Sequence, residues 1–173
     1  MKRQMIKNIT LNEVNHVAGF VENIRNKKTM CFIVLRDVSG KLQLTIEKEK
    51  NPQLNEILDQ ITVDTVIEAT GLIVPSEYVK LNGMELIPES IVVTSKSEEE
   101  HPINYKDLDN IQIDTRLDNR MLDLRNERNN YIFRIQSDLV RNLRETLYNK
   151  DFMEIHTPKL IGAASESGSE VFE

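Results

Sequence analysis

A phenylalanine, an amide and a carboxylate in the N-terminal half of the chain can each contact a nucleobase in a different way. Phe32 offers a ring that could stack on the face of a base, and Gln43 offers both a donor and an acceptor to its edge. Glu85 interrupts an apolar stretch and can accept a hydrogen bond from an amino group. Each of these residue types can thus contact a base. For Phe32 taken alone, a place in the hydrophobic core is the alternative, because apolar residues are most often buried.

The distribution of charge indicates where phosphates could be bound. The net charge is −6, but residues 1–50 contain ten Lys or Arg against five acidic residues, whereas residues 51–173 contain twelve against twenty-three. Because phosphate contacts dominate nucleic-acid affinity, such a surface is expected in the basic N-terminal part, around Arg25, Lys27, Lys28, Arg36 and Lys41. An ordinary solvated basic face is the alternative.

Short strands are the elements that would hold these side chains. Gln43 and Thr45 alternate with apolar residues, so one side of their strand faces away from the core. Three strands, a short helix and two further strands are the order of an OB-fold, a small barrel whose face and loops bind oligonucleotides. The expected strands are residues 16–25, 30–37, 41–47, 65–74 and 84–94, and the helix, behind Asn51 as its N-cap, is 52–60.

The composition changes after the predicted barrel. Residues 96–114 are acidic and rich in Asn and Asp, and they are expected to be a linker because they cannot bury a continuous apolar face. In residues 116–125 opposite charges alternate closely enough to pair with one another or with a neighbouring domain. A salt-laced surface turn is the alternative for this segment.

A long amphipathic helix is expected at residues 129–150. Its apolar residues recur at three and four positions, and this stripe must meet the barrel, a second copy of the chain, or nothing. The predicted domains are therefore a barrel at 1–97, a linker or hinge at 98–126, and the beginning of a further domain at 127–173.

Several classes of protein are not favoured by the sequence. The single cysteine, Cys31, fits a reducing compartment, so a cytoplasmic location is expected. No apolar run approaches the roughly 20 residues that span a bilayer, and no membrane association is expected. His156 has neither a cysteine nor a second histidine near it in the sequence, which favours a structural role over a catalytic one. No glycine pattern of a phosphate-binding loop is present, and no metal site is predicted.

Four segments of the chain resemble the aspartyl-tRNA synthetases of the archaeal and eukaryotic type, which belong to the class II subgroup that also holds the asparaginyl and lysyl enzymes. The segments are Phe32-Ile-Val-Leu-Arg-Asp37 with Gly40-Lys-Leu-Gln43, Glu85-Leu-Ile-Pro88, Asp114-Thr-Arg-Leu-Asp-Asn-Arg120, and Phe152 to Phe172. The resemblance implies an OB-fold that binds the tRNA anticodon, a hinge, and the start of an α+β catalytic domain in which a long helix is followed by a short strand.

The resemblance also implies roles for particular residues. Phe32 would stack within the anticodon, and Gln43 and Glu85 would read its central bases, beside the basic candidates Arg25 and Lys28. Pro158 matches the proline of the family's first motif, so a homodimer interface is expected through residues 129–160. Glu166, with Ser165 beside it, matches the glutamate that receives the α-ammonium group of the amino acid; an ordinary polar loop is the alternative for this segment.

The family's second and third motifs, which hold ATP, have no counterpart in the chain. No catalytic residue is therefore assigned, ATP and Mg²⁺ are expected only for the complete enzyme, and the chain by itself is expected not to aminoacylate tRNA. The expected function is that of the N-terminal portion of an aspartate–tRNA ligase that binds aspartate tRNA and possibly asparagine tRNA, with a C-terminal catalytic partner elsewhere. The alternatives are a freestanding nucleic-acid-binding OB module and a fragment of an asparaginyl-tRNA synthetase.

Overall fold

Five strands close into a barrel in the order β1-β2-β3-β5-β4 in the computed structural model of the chain, which describes residues 2–98 and 101–158. The single parallel pairing among these strands joins β3 to β5, and the others are antiparallel. The barrel confirms the OB-fold prediction. The strands are β1 (Val14–Asn26), β2 (Met30–Arg36), β3 (Lys41–Glu47), β4 (Val66–Pro75) and β5 (Met84–Ser95).

Burial alternates strictly along β2 and, except at the buried Thr45, along β3, and this alternation separates the core of the barrel from its outer face. Every second side chain of β2 is buried and the residues between them are half-buried. Because successive side chains of a strand point to opposite faces, Phe32 and Gln43 lie on the outside. The fully buried side chains of these two strands are Cys31, Ile33, Leu35, Leu42, Leu44 and Ile46.

The predicted helix at 52–60 is present only in part. A 3₁₀ turn (Pro52–Leu54) leads into a single α-helical turn, α1 (Asn55–Leu58). The predicted N-cap is wrong, because the Asn51 side chain makes no cap hydrogen bond and instead donates from Nδ2 to the Glu47 carbonyl at 3.2 Å. Leu54 and Leu58 are buried and belong to the hydrophobic core of the barrel, which explains why so short an element is retained.

The chain divides into two compact units, residues 1–101 and 102–173, while the division at 97 and 126 stays a prediction. Residues 96–114 were expected not to bury a continuous apolar face, but several separate apolar side chains of this segment are buried. Ile103, Tyr105 and Leu108 are buried with Leu122 in a small second cluster, against which Ile111 packs. Their spacing follows neither the period of a helix nor that of a strand, so the sequence pattern did not reveal them.

The charged segment at 116–125 forms two short helices, α2 (Ile113–Asp118) and α3 (Arg120–Asp123). Its charges pair with one another around the fully buried carboxylate of Asp123. Arg116 Nε lies 2.7 Å from Asp123 Oδ1, and Arg120 Nη1 contacts Asp123 Oδ2. Asn129 Nδ2 donates a further hydrogen bond to Asp123 Oδ1 at 2.9 Å. The segment is thus a partly buried ion-pair cluster rather than a surface turn.

The long helix α4 (Glu127–Tyr148) begins after Asn126, whose side chain accepts a hydrogen bond from the Asn129 backbone N–H. The apolar stripe of α4 is exposed, with Leu139 67% and Leu143 59% accessible. Residues 152–158 after it are neither helix nor strand, and the rest of the predicted strand lies outside the described residues. None of the helices within residues 2–98 and 101–158 combines the length and apolar character needed to cross a bilayer.

Candidate nucleic-acid interface

Two rows of side chains cross the outer face of strands β1, β2, β3 and β5. In the first row Arg25 of β1 is opposite Phe32 of β2, which is opposite Thr45 of β3. In the second row Gln43 of β3 is paired with Glu85 of β5. Residues directly opposite each other in antiparallel strands have Cβ atoms about 4.5–5.5 Å apart. The parallel β3–β5 pairing adds Glu85, so strand register brings these five side chains together.

Phe32 lies on the outer face of β2 and is half-buried. Its neighbours Cys31 and Ile33 fill the core, so the alternative of a core phenylalanine does not apply. The Arg25 guanidinium carbon is 5.5 Å from the centroid of the Phe32 ring, within the range of a cation–π contact. A flat aromatic ring next to a cation is therefore available on the surface of the barrel.

Gln43, Thr45 and Glu85 form a hydrogen-bonded group beside this ring. Gln43 Nε2 donates to Thr45 Oγ1 at 3.1 Å and lies 3.4 Å from Glu85 Oε2. The Thr45 hydroxyl in turn donates to the same carboxylate oxygen of Glu85. The amide and the carboxylate predicted to read bases are thus held in contact across the parallel β3–β5 pairing.

A second group of charged side chains lies further along the same strands. Glu22 Oε2 is 3.3 Å from Arg36 Nε, and Glu22 Oε1 is 2.9 Å from Lys41 Nζ. Arg36 and Lys41 face each other across β2 and β3, so one carboxylate lies between two cations. Two cations thus lie on this part of the face, which suits a surface that meets phosphates.

The predicted basic candidates differ in their surroundings. Arg25 is exposed near the end of β1 and contacts the Phe32 ring, whereas Lys28 is exposed in the turn between β1 and β2. That turn is held by a backbone hydrogen bond from Lys27 N to the Met30 carbonyl at 2.8 Å. Both cations therefore stand at the β1–β2 end of the face that carries Phe32.

The turn between β2 and β3 is built around Asp37. Its carboxylate accepts hydrogen bonds from the Ile6 and Gly40 backbone N–H groups and from both the backbone N–H and the hydroxyl of Ser39. Burial by itself raises the pKa of Asp37, but these hydrogen bonds outweigh it and hold the pKa below its ordinary value. The turn fixes how β2 and β3 are joined and thereby the register of Phe32 and Gln43.

Sequence reasoning named Thr45 only as one of the polar residues alternating with the apolar side of β3. The side chain is 9% exposed and contacts both predicted base readers. Its position two residues after Gln43, on the same strand, was a signal that it would share their face. Sequence reasoning also did not single out Tyr78, an aromatic residue that is 96% exposed in the segment between β4 and β5.

The residues predicted near the C-terminus are described only in part. Pro158, the predicted interface proline, is exposed and is the last described residue, and His156 is exposed as well. Ser165 and Glu166 lie outside the described residues, so their predicted contact with an amino acid stays a prediction. Within residues 2–98 and 101–158, no group of three or more His, Cys, Asp or Glu side chains could hold a metal ion.

Comparison with family models divides the chain in two. Residues 16–94 match the OB-fold nucleic acid binding domain, and residues 112–173 match the class II tRNA synthetases of the D, K and N group. The first match covers every residue of the two rows on the barrel face. The second includes α2, α3, α4 and the predicted motif, so that both parts of the fold prediction are confirmed.

Individual relatives agree with both matches. The aspartate–tRNA(Asp) ligase of Pyrococcus abyssi is 40% identical over 157 residues, which are 90% of this chain and 36% of that protein. The aspartate–tRNA(Asp/Asn) ligase of Methanocorpusculum labreanum is 37% identical over 170 residues, covering 96% of this chain and 39% of that protein. The chain thus spans well under half of the length of these relatives.

The solved structures give the same result. The aspartyl-tRNA synthetase of Entamoeba histolytica superposes with a TM-score of 0.81 at 29% identity, over 94% of this chain and 40% of that one. The asparaginyl-tRNA synthetase of Pyrococcus horikoshii gives a TM-score of 0.81 at 21% identity, over 91% of this chain and 36% of that one, which is a likeness of fold.

Proposed function

Because this chain belongs to the class II tRNA synthetases of the aspartyl, lysyl and asparaginyl group, we propose that its barrel binds the anticodon of aspartate tRNA. The outer face of β2, β3 and β5, with the adjoining end of β1, is the binding surface. The observation that carries the proposal is the gathering of an aromatic ring, an amide and a carboxylate on three neighbouring strands whose opposite faces form the core.

Phe32 provides the stacking platform of this surface. A base on an exposed aromatic ring contributes about 1–3 kcal/mol to binding. Arg25 at 5.5 Å from the ring centroid can orient the ring and also stand near the backbone of a stacked nucleotide. Lys28, exposed in the adjoining turn, would add a salt-dependent contact with phosphate.

Gln43 and Glu85 provide base recognition rather than affinity. A carboxylate near a polyanion is electrostatically unfavourable, so its presence beside Phe32 is better explained by a hydrogen bond accepted from a base. The pairing of Gln43 with Glu85 across β3 and β5 supports this reading, because both side chains then meet the same part of a bound strand.

For the complete protein we propose an aspartate–tRNA ligase. This chain spans 36% to 39% of the length of the relatives it matches, and ATP, Mg²⁺ and the catalytic groups would be supplied by a C-terminal catalytic portion. Glu166 and Ser165 would receive the amino acid, and residues 129–160 with Pro158 would form a homodimer interface. A cytoplasmic location fits this role.

Binding to aspartate tRNA tests the barrel's role. Phe32→Ala should weaken the affinity of the chain for an aspartate tRNA transcript by about tenfold, because stacking is lost. Ile113→Ala is the control, since Ile113 is a large apolar residue that is 56% exposed at the start of α2, in the other unit and outside residues 129–160; it should change the affinity by less than about twofold. The proposal is wrong if Phe32→Ala and a substituted middle anticodon base both leave the affinity unchanged.

A broader substrate range is a second candidate. Several relatives at 33% to 38% identity carry names that include both the aspartate and the asparagine tRNA. The two anticodons share the central base that Gln43 and Glu85 would read, so this chain would need other contacts to separate them. Comparing its affinity for the two transcripts distinguishes these cases: an equal affinity favours the broader range and a preference for aspartate tRNA favours the narrower one.

A further inference from the structure

Thr45 occupies an unusual place on the outer face of the barrel. It lies between Gln43 and Glu85 and is 9% exposed, although it faces the same side as the half-buried Phe32 and Gln43. Its hydroxyl contacts both of the proposed base readers. A hydroxyl buried beneath an amide and a carboxylate can set the orientation of both.

We propose that Thr45 is a positioning residue that fixes which end of the Gln43 amide faces the bound base. This inference rests on the proposed function and deepens it. Thr45 itself need not touch the tRNA, because it acts through the side chains of Gln43 and Glu85.

The assignment follows from counting donors and acceptors. A threonine hydroxyl has one hydrogen to donate, and a carboxylate can only accept, so the Thr45 hydrogen goes to Glu85 Oε2. Thr45 Oγ1 is then left as an acceptor, which requires the Gln43 amide to present its NH₂ group there. The opposite amide orientation would place Gln43 Oε1 against Glu85 Oε2 at about the present 3.4 Å, a repulsive contact.

The consequence is a defined polarity of the base-reading surface. With its Nε2 directed to Thr45 and Glu85, Gln43 presents its carbonyl oxygen Oε1 to a ligand. A base that meets Gln43 must therefore offer an N–H donor, such as the ring N–H of uracil. Bases with a ring acceptor at that position are disfavoured, because two acceptors would then face each other without a hydrogen.

The test compares Thr45→Val with Thr45→Ser. Valine keeps the shape but lacks the hydroxyl, whereas serine keeps the hydroxyl but lacks the methyl group. The measured quantity is the ratio of two dissociation constants of the chain: that for an aspartate tRNA transcript with a substituted middle anticodon base, divided by that for the native transcript. A ratio is unaffected by a variant that is only partly folded, since both constants are scaled by the same folded fraction.

Thr45→Val is expected to reduce this ratio about fivefold to tenfold, the effect of losing one buried hydrogen bond, and Thr45→Ser is expected to stay within about twofold of the unmodified chain. An unchanged ratio in Thr45→Val overturns the inference. So does an equal loss in both variants, because the methyl group would then be what matters.

Failure of the proposed function gives a different result from failure of this inference. If the unmodified chain does not distinguish the two transcripts and Phe32→Ala has no effect, the barrel does not read the anticodon and both proposals fall. If the unmodified chain distinguishes them, Phe32→Ala weakens binding, and Thr45→Val still discriminates fully, only the role of Thr45 is lost.

Discussion

The core-facing apolar side chains of the barrel are buried, whereas the apolar side chains of helix α4 are exposed. In β2 and β3 the core-facing residues are entirely buried, whereas residues at helical spacing along α4 are about two-fifths to two-thirds exposed. Polar groups differ as well: Gln43 and Glu85 are bound to a buried hydroxyl, while Arg141 and Asp138 on α4 form a pair in which both side chains are at least 60% exposed. The barrel completes its own core, whereas the apolar stripe of α4 is left exposed among the described residues.

Paired substitutions of leucine are the largest test of this contrast. Leu44→Ala should lower the free energy of unfolding of the barrel by about 2–5 kcal/mol, because Leu44 is fully buried and the substitution leaves a cavity. Leu139→Ala, at a position 67% exposed on α4, should change the free energy of unfolding of its own unit, residues 102–173, by less than about 0.5 kcal/mol. Denaturant unfolding measures both.

The Leu139→Ala measurement can also show whether α4 is covered in solution. If Leu139→Ala is costly and its cost grows with protein concentration, α4 is covered by a second copy of the chain, since association contributes to stability by mass action. That outcome would support the proposed homodimer interface at residues 129–160. A small cost at every concentration would leave the stripe uncovered in the isolated chain.

Much of the barrel was predictable because its pattern is local. The strands begin and end within about two residues of the predicted bounds, since burial on one side imposes an alternation that the sequence displays directly. The short helix was less predictable: four residues of α-helix are too few for a periodic pattern, and contact with the core decides their conformation. The apolar cluster of Ile103, Tyr105 and Leu108 was not predictable either, because its spacing follows the period of neither a helix nor a strand.

The residue types of the candidate site could be predicted from the sequence, but the contacts between them could not. Gln43 and Glu85 are far apart in sequence, and only the parallel pairing of β3 with β5 makes them neighbours. Phe32 could have been a core residue until the register of β2 placed Cys31 and Ile33 there. The contacts of Thr45 could not be predicted, because threonine is common in strands and its partners depend on which residues lie across from it.

The second unit also contains a buried polar group, the carboxylate of Asp123, which pairs with two arginines. Asp123→Ala should lower the free energy of unfolding of this unit by about 2–4 kcal/mol, because it removes the buried partner of Arg116 and Arg120. Asp109→Ala, at an exposed position in the same unit, is the control and should have little effect. The measurement is denaturant unfolding monitored by the circular dichroism of α2 to α4. Asp123→Ala should lose this helical signal at a lower denaturant concentration than Asp109→Ala, and equal unfolding curves for the two variants would contradict the prediction.

Two glycines of the barrel provide a smaller test of how tightly it is closed. A Cβ on Gly71 would lie 2.1 Å from the Ile87 carbonyl oxygen and 2.6 Å from Pro88 Cα, so Gly71→Ala must push β4 away from β5. The expected loss is about 1–3 kcal/mol of unfolding free energy. At Gly40 the nearest atom is a methyl carbon of Ile6 at 3.4 Å, so Gly40→Ala should be milder. Thermal unfolding compares them, and a larger effect at Gly40 would be inconsistent with this packing.

The smallest expected effect concerns Asp37, which anchors the β2–β3 turn. Its folded pKa lies below the ordinary value near 4, so its stabilising hydrogen bonds are fully present above the pKa of the unfolded chain and are lost as the pH falls through the folded pKa. Asp37→Asn should therefore be slightly less stable than the unmodified chain at pH 7, and the difference should shrink as the pH falls through the folded pKa of Asp37.

Asp138→Asn on α4 is the matched control for this pH dependence, because its partner Arg141 is 65% exposed and such surface pairs contribute little. Unfolding midpoints measured from pH 7 to pH 2 should thus show a pH-dependent difference from the unmodified chain for Asp37→Asn and a negligible one for Asp138→Asn. If Asp37→Asn differs by the same amount at both ends of the range, the turn depends on the shape of the side chain rather than on its charge. The charge of Asp37 would then not be what anchors the β2–β3 turn.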